Sequence, residues 1–337
     1  MRRNHLLFWV AVLAVSLCAL TLVNAMWADK PSPPQPPPDP AISFVKLKPN
    51  LARDLMVMNA DGSNQTVILG STTGQKHFQP NWSPDGTQLA FLSNIQGDGV
   101  YIINRNGTGL TKIVALNGPA GEFAGAVWSP VAAPGGELKI AYPDQARRPD
   151  GTLEKDKDLF LVNLDGTAPV QLTNTRGLWE TDHTWSPLAL RLAGQVITDG
   201  ADPSASIVVY DLGLGAGGKV TVLTITNLTA TGSLSGYWVQ SPDWAKAQDK
   251  IAIAAFPESG GSRDIWVIDL FEPANPINRS NTPTIQEWTP SWSPDDSKII
   301  FQRDGSIYLM NANGTGVTKL ARPSKGTAHD PDWRRNP

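Results

Sequence analysis

The chain has 337 residues, a net charge of −3, a hydrophobic fraction of 41% and a charged fraction of 18%. With 30 glycines and 28 prolines, turns are plentiful, and no stretch has the pattern of a long amphipathic helix, so the composition favours an all-β fold with a sizeable core. The charge is only mildly acidic and is spread along the chain, which excludes an extended nucleic-acid-binding surface.

The first 25 residues have the pattern of an export signal. Arg2 and Arg3 precede an uncharged run over residues 6–23, and a small residue, Ala25, closes the segment. The run is long enough to span a bilayer, so cleavage after Ala25 and retention as an N-terminal anchor both stay open. Cys18 is the only cysteine and lies inside this segment, so we expect no disulfide and no thiol chemistry in the exported part.

Residues 26–40 predict a spacer rather than a folded element. Prolines make up most of PSPPQPPPDP at residues 31–40, a composition typical of an extended polyproline conformation. The spacer would hold the following domain away from whatever anchors it. The predicted folded domain therefore covers residues 41–337.

A tryptophan followed by a turn signal recurs six times along this domain. The clearest copy reads NWSPDG around Trp82, where Ser-Pro-Asp-Gly suits a type I turn, and the other copies follow at intervals of 41 to 59 residues. The six anchor tryptophans are Trp82, Trp128, Trp185, Trp244, Trp292 and Trp333. A repeat of this length is typical of a propeller or a solenoid.

Each repeat predicts four short β-strands. The tryptophan strand is followed by an apolar run such as LAF from Leu89, then by a third strand ending in Asp-Gly or Asn-Gly, as in DLMVMNADG from Asp54, and then by a short fourth strand. The first third-strand copy has no tryptophan before it, and Trp333 has no strands after it. We therefore predict a six-bladed β-propeller of four-stranded antiparallel blades, with the ring closed by the N- and C-terminal segments.

The repeat W-S-P-D-G, an apolar strand and I-Y-x-x-N-x-D-G resembles the TolB-type, WD-like propeller repeat over residues 41–337. The resemblance implies the propeller fold. Periplasmic TolB proteins also carry an α/β domain ahead of the propeller, and here the proline spacer stands in that place. Because one fold hosts many functions, the resemblance does not by itself assign an activity.

The repeated serines do not predict catalysis. Ser83, Ser129, Ser186 and Ser293 occupy the same place in four repeats, whereas a nucleophile is needed once, so we expect a role in the turn. The segment closest to a nucleophile elbow, GSLSG at residues 232–236, has leucine at its centre instead of serine. The sequence therefore argues against a serine hydrolase.

Histidine and acidic residues gather shortly before several anchor tryptophans. In a propeller the loop into each such strand leads to the central channel, so we expect these side chains to surround one channel mouth. The candidates are His77, Glu122, Glu180, Asp182, His183, Glu287, His329 and Asp330. They suit a divalent cation or a small polar ligand, and the alternative is a hydrated channel in which each histidine is satisfied locally. We expect no other cofactor.

Three further tryptophans, Trp179, Trp238 and Trp288, lie in the same loops. Their rings could pack between blades or line a face that binds a partner, where aromatic residues are favoured. The sequence does not separate these two alternatives.

The leading hypothesis is an exported, monomeric, non-catalytic propeller that binds a protein or cell-envelope ligand at one face, in the periplasm or at the cell surface. The first alternative is a metal-dependent enzyme of the lyase or lactonase type that uses the channel-mouth residues. The second is a sensor or scaffold tethered to the membrane through residues 6–23. No nucleic-acid partner is expected.

Overall fold

A computed structural model describes residues 41–121, 125–130, 137–215 and 220–335 of the chain. The predicted export signal at 1–25, the spacer at 26–40 and Glu122 lie outside these ranges. Every regular element within them is a β-strand, which confirms the all-β prediction. The described residues include no helix long and apolar enough to cross a membrane.

The strands alternate along the chain with short turns. In order they are β1 Ile42–Leu47, β2 Arg53–Met58, β3 Thr66–Leu69, β4 His77–Trp82, β5 Gln88–Ser93, β6 Gly99–Asn104, β7 Thr111–Ala115, β8 Val127–Trp128, β9 Lys139–Arg147, β10 Leu153–Asn163, β11 Val170–Gln171, β12 Leu178–Trp185, β13 Arg191–Thr198, β14 Ala205–Leu214, β15 Val220–Asn227, β16 Tyr237–Trp244, β17 Lys250–Pro257, β18 Asp264–Asp269, β19 Ile277–Asn278, β20 Glu287–Trp292, β21 Lys298–Arg303, β22 Ser306–Asn311, β23 Thr318–Ala321 and β24 Thr327–Trp333.

Strand pairing groups these elements into antiparallel sheets of the propeller type. Four sheets have four strands each, in the orders β4-β5-β6-β7, β16-β17-β18-β19, β20-β21-β22-β23 and β24-β1-β2-β3. The remaining strands, β8 to β15, form one eight-stranded sheet. The antiparallel propeller is thus confirmed, whereas four separate four-stranded blades do not confirm the predicted count of six.

The eight-stranded sheet is held together at its centre by a single parallel pairing, between Lys157 of β10 and Trp179 of β12. On either side of that pairing the strands are antiparallel.

The first and last strands of the described chain pair with each other. β24 lies antiparallel to β1, with Ile42 opposite Trp333 and Leu47 opposite Thr327. Beyond the strand, the Arg334 N–H donates to the Ala41 carbonyl over 2.8 Å. One sheet is therefore built from both ends of the described chain, as the repeat pattern predicted, and this pairing leaves neither strand with a bare edge there.

The anchor tryptophans are buried between neighbouring sheets. Trp82 of β4 packs in one apolar cluster with Leu55 and Val57 of the preceding sheet, and Trp292 of β20 packs in the same way against Ala252 and Val267. Burial of these large rings supplies the apolar contact that fixes one sheet against the next.

The recurring serines take part in the turns that follow four of the six anchor tryptophans. The Ser83 hydroxyl accepts the Gln88 N–H and donates to Asp85, and the Ser83 carbonyl accepts the Gly86 N–H. Ser293 makes the equivalent bonds with Asp295 and Lys298. The serines therefore act as turn residues.

Candidate functional site

Six chain segments that end in an anchor tryptophan line a single central cavity. Five of them contribute the three residues that precede the tryptophan, as in Gln79-Pro80-Asn81 and Asp330-Pro331-Asp332, and the segment before Trp128 contributes Gly125 and Val127. The cavity has a volume of about 80 Å³. That is enough for a few water molecules but not for a sugar ring or a peptide.

A β-bulge sends one residue into the cavity from five of the six segments, the exception being the one that ends at Trp128. The pairing registers of β4, β12, β16 and β20 shift just before the tryptophan, and the residue at the shift has a positive φ. These residues, with the equivalent one in β24, are Gln79, Asp182, Ser241, Thr289 and Asp330. Because positive φ is costly for non-glycine residues, the bulges are local strain held by the surrounding sheets.

The bulge residues form a bridge across the cavity. The Gln79 amide donates to the Asp182 carboxylate over 2.6 Å, and the Ser241 hydroxyl donates to its other oxygen over 3.2 Å. The bridge passes Gly125, where an added Cβ would lie 2.8 Å from the Gln79 side-chain oxygen. Burial, reinforced by the neighbouring Asp330 charge, raises the pKa of Asp182 to about 6.

Two positions after each bulge residue, next to the tryptophans, hydrogen bonds between neighbouring sheets run around the cavity. The residue just before each tryptophan accepts the backbone N–H of the tryptophan in the next sheet. Asp243 accepts from Trp292 over 2.7 Å, Ser291 from Trp333 over 3.0 Å, and Asp332 from Trp82 over 2.9 Å. Asn81 and Thr184 accept in the same way. Val127 is the exception, because its side chain has no acceptor.

Two cations lie beside these hydrogen bonds, whose acidic members are Asp243 and Asp332. The buried Lys246 ammonium contacts both Asp243 oxygens at 3.2 Å, and Arg335 donates to the Trp185 carbonyl over 3.0 Å. Burial raises the pKa of Asp332 to about 6, against the opposing effect of Lys246.

The structure places three of the predicted site residues inside the sheets rather than at the cavity. His77, Glu180 and Glu287 each stand five residues before a tryptophan, and all three are buried. His77 hydrogen-bonds Ser93 over 2.9 Å, and Glu287 pairs with Arg303. Glu180 accepts from Tyr210 over 3.1 Å and from Thr173.

Asp182, His183 and Asp330 do line the cavity. His183 is buried, and neither ring nitrogen has a hydrogen-bond partner among the described residues. Burial lowers the pKa of His183 to about 3, so its imidazole is neutral. His329 lies at the mouth, where its Nε2 contacts the Thr327 hydroxyl at 2.6 Å.

In the described part of the chain, no three His, Cys, Asp or Glu side chains come close enough together to hold a metal ion. The predicted divalent-cation site therefore gains no support from the placement of these residues. Glu122 lies outside the described ranges.

A wider hollow of about 340 Å³ opens at the channel mouth. Its lining consists of Leu47, Arg53, Gln79, Trp288, Thr289, Gln302, His329 and Asp330. Trp288 thus lies at the mouth, where its ring also contacts Arg263 of the neighbouring sheet, and a role of the loop tryptophans in binding a partner stays a prediction.

Three basic residues of this face were not among the candidates predicted from the sequence. Arg53, Lys157 and Arg263 all occupy the position before the aspartate that begins the third-strand motif. In the sequence, this shared position is marked by the dipeptides Arg53-Asp54, Lys157-Asp158 and Arg263-Asp264.

Comparison with known proteins agrees with this architecture. The profile of the TolB beta propeller domain matches residues 39–333. The chain belongs to this family. Over 74 residues it is 32% identical to the Tol-Pal system protein TolB of Actinobacillus succinogenes, a match that covers 22% of this chain and 17% of that protein.

Two solved structures show the same fold. TolB from Acinetobacter baumannii superposes with a TM-score of 0.65 at 19% identity, over 88% of this chain and 68% of that one. The putative TolB from Agrobacterium tumefaciens gives a TM-score of 0.57 at 17% identity, over 87% of this chain and 98% of that one. At these identities the likeness concerns the fold alone.

Proposed function

We propose that this protein is an exported, monomeric, non-catalytic propeller that binds a protein or cell-envelope ligand at the face bearing the channel mouth, in the periplasm or at the cell surface. The observation that carries the proposal is the central cavity of about 80 Å³, which the Gln79–Asp182–Ser241 bridge crosses. A ligand larger than a few waters would have to bind outside it, at the mouth.

Membership of the TolB family supports a binding role, as does the name of the relative, a Tol-Pal system protein. Export rests on the pattern of residues 1–25. The lyase or lactonase alternative needs converging metal ligands, and the described residues supply no such group. No resident cofactor is part of the proposal.

A photo-crosslinking amino acid at Gln302, in the mouth hollow, tests the proposal in living cells. We expect a discrete higher-mass adduct from this position. The matched control places the same group at Asp165, an exposed residue of the turn between β10 and β11, at the opposite end of the strands. Equal labelling from both positions, or none from Gln302, would reject the mouth as the binding face.

We also propose that the ring has six units. The eight-stranded sheet divides at the single Lys157–Trp179 pairing into two antiparallel sets of four strands, β8 to β11 and β12 to β15. Six tryptophan-ending segments line one cavity. A crystal structure that counts six four-stranded blades would agree, and any other number would contradict this proposal.

Mass spectrometry of the purified protein distinguishes the two fates of the N-terminal segment. A mature chain beginning near Met26 is expected from cleavage and would eliminate the membrane tether. An intact N-terminus would instead favour the tethered alternative.

A further inference from the structure

Arg263 occupies a fixed position on the face that carries the channel mouth. It precedes β18, and its backbone is held by the neighbouring sheet. Its N–H donates to the Gln286 side chain over 3.1 Å, and its carbonyl accepts the Glu287 N–H over 3.0 Å. The backbone that presents this side chain is therefore anchored on both sides.

Two aromatic rings cover the Arg263 guanidinium. Its central carbon lies 3.3 Å from the centre of the Trp288 ring and 4.3 Å from the centre of the Phe256 ring. Arg263 as a whole is only 8% exposed. Since the five N–H donors of a guanidinium lie in its plane, rings stacked on its faces leave its edge as the part that can donate hydrogen bonds.

The charge of Arg263 has no protein counter-ion in the described ranges. Arg303 is paired with Glu287 and Lys246 with Asp243, but no carboxylate of the described residues is within ion-pair distance of Arg263. Its Nε also lacks a hydrogen-bond partner there. The adjacent Asp264 carboxylate is engaged by Thr282 and Asn278.

The arginine stays charged despite its burial. Burial lowers the pKa of Arg263 to about 10, which still leaves it protonated at neutral pH. A buried cation without a partner is costly, and the aromatic rings offset only part of that cost. An anion bound at the guanidinium edge would remove the remainder.

We infer that Arg263, Trp288 and Phe256 form a receptor for one carboxylate of a protein partner. The inference rests on the proposed function, because it gives the mouth-face partner its chemistry. A lone guanidinium with an in-plane edge suits the planar, singly charged carboxylate, whereas phosphate recognition generally uses clusters of arginines. The carboxylate comes from an Asp or Glu side chain or from a chain terminus.

Nuclear magnetic resonance of the purified full chain, labelled with ¹⁵N, tests the receptor directly. The probes are acetyl-Gly-Glu-Gly-amide for a side-chain carboxylate, acetyl-Gly-Gly-Gly with a free C-terminus for a terminal one, and acetyl-Gly-Gln-Gly-amide as the neutral control. We expect a saturable shift of the Arg263 Nε–H and Trp288 indole N–H signals with one or both carboxylate peptides and none with the glutamine peptide.

Variants decide whether Arg263 is responsible. Arg263→Gln should weaken peptide binding at least tenfold, and Arg263→Lys, which keeps the charge but not the planar edge, at least threefold. Arg191→Gln, in an ion pair on another sheet, should leave the titration unchanged. An unsaturable shift in the wild type, or equal binding by Arg263→Gln, would overturn the inference.

Crosslinking at Gln302 tests the mouth-face partner, whereas the peptide titration tests the carboxylate receptor, so the two proposals can be told apart. If the Gln302 crosslink persists while no carboxylate peptide binds, the receptor is wrong and the mouth-face partner stands. If the peptides bind but Gln302 yields no adduct, the receptor stands and the proposed function does not. Loss of both peptide binding and the adduct in Arg263→Gln, with an unchanged unfolding midpoint, would support both.

Discussion

His183 stands two residues before Trp185, where four other repeats carry proline: Pro80, Pro242, Pro290 and Pro331. Its ring lies over Gly194 of β13, at which an added Cβ would come within 2.7 Å of a ring carbon. The sequence identified His183 as a candidate because of its distance from the tryptophan. It could not reveal that a glycine on the paired strand makes room for the ring, since that depends on strand register.

The buried imidazole predicts a pH-dependent stability. The pKa of His183 is about 3 in the folded protein, against an ordinary value of 6.5. Below pH 6.5 the unfolded chain binds a proton that the folded protein does not, so acid favours unfolding until the folded pKa is reached. The free energy of unfolding should fall by about 1.4 kcal/mol per pH unit through this group.

Asp182 and Asp332 act in the opposite direction. Their pKa values are raised to about 6, so protonation below that pH favours the folded state. The test therefore compares the free energy of unfolding of the wild type with that of His183→Ala, measured in urea from pH 6 to pH 4. Because both proteins contain Asp182 and Asp332, the contributions of these aspartates cancel in the difference. The wild type should lose about 1.4 kcal/mol per pH unit relative to the variant. Parallel pH curves would show that His183 does not titrate as described.

At the scale of the strand, the bulge explains which of the candidate residues reach the cavity. Of the residues found by counting back from each tryptophan, Asp182, His183 and Asp330 line the cavity. Residues two positions earlier, His77, Glu180 and Glu287, were expected at the same mouth but are buried in bonds within the sheets. Strand alternation is predictable from sequence, whereas a one-residue register shift is not, because it depends on the paired strand.

The hydrogen bonds from one sheet to the next also escaped the sequence analysis. Their acceptors are Asn, Thr, Asp and Ser, which share an acceptor atom but no sequence identity. Ser291 is the acceptor whose hydroxyl group can be removed with little change in side-chain volume. Its hydroxyl accepts the buried Trp333 N–H over 3.0 Å.

Ser291→Ala should lower the free energy of unfolding by about 1–3 kcal/mol, because the Trp333 N–H loses its acceptor in a buried place. The control is Ser297→Ala, which removes a hydroxyl from the exposed turn after Trp292 and should cost less than about 0.5 kcal/mol. Chemical denaturation of both variants gives the comparison. Equal losses would mean that the bond between sheets contributes no more than an exposed turn.

At the scale of the molecule, the tryptophan repeat and its two incomplete ends predicted the propeller and the pairing of β1 with β24. The repeat is readable because each unit carries the same turn chemistry and the same large apolar anchor. The division into sheets was less predictable, since a single pairing at Lys157 and Trp179 joins two four-stranded sets. That contact depends on how closely two blades approach.

The pairing of β24 with β1 makes a clear prediction about truncation. A chain ending at Gly326 lacks β24, and with it the Asp332 acceptor and the buried Trp333. We expect it to be aggregated or to lack a cooperative thermal transition by circular dichroism, because β1 is left with an exposed edge and both neighbouring sheets lose their hydrogen bonds to β24. A chain ending at Arg335 should keep the wild-type midpoint. A cooperative transition in the shorter chain would show that the ring is stable when open.

The hydrogen bond between Arg334 and Ala41 brings the two ends of the folded domain together, so the order of its strands in the sequence can be changed. Because these residues are hydrogen-bonded, a short peptide linker would join them without moving any strand. The chain could then be cut at an exposed hairpin tip, such as Asp150-Gly151 between β9 and β10, with every strand keeping its neighbours. Circular permutants of this protein should therefore fold to the same propeller, since the ring depends on which blades are adjacent and not on which one is synthesised first.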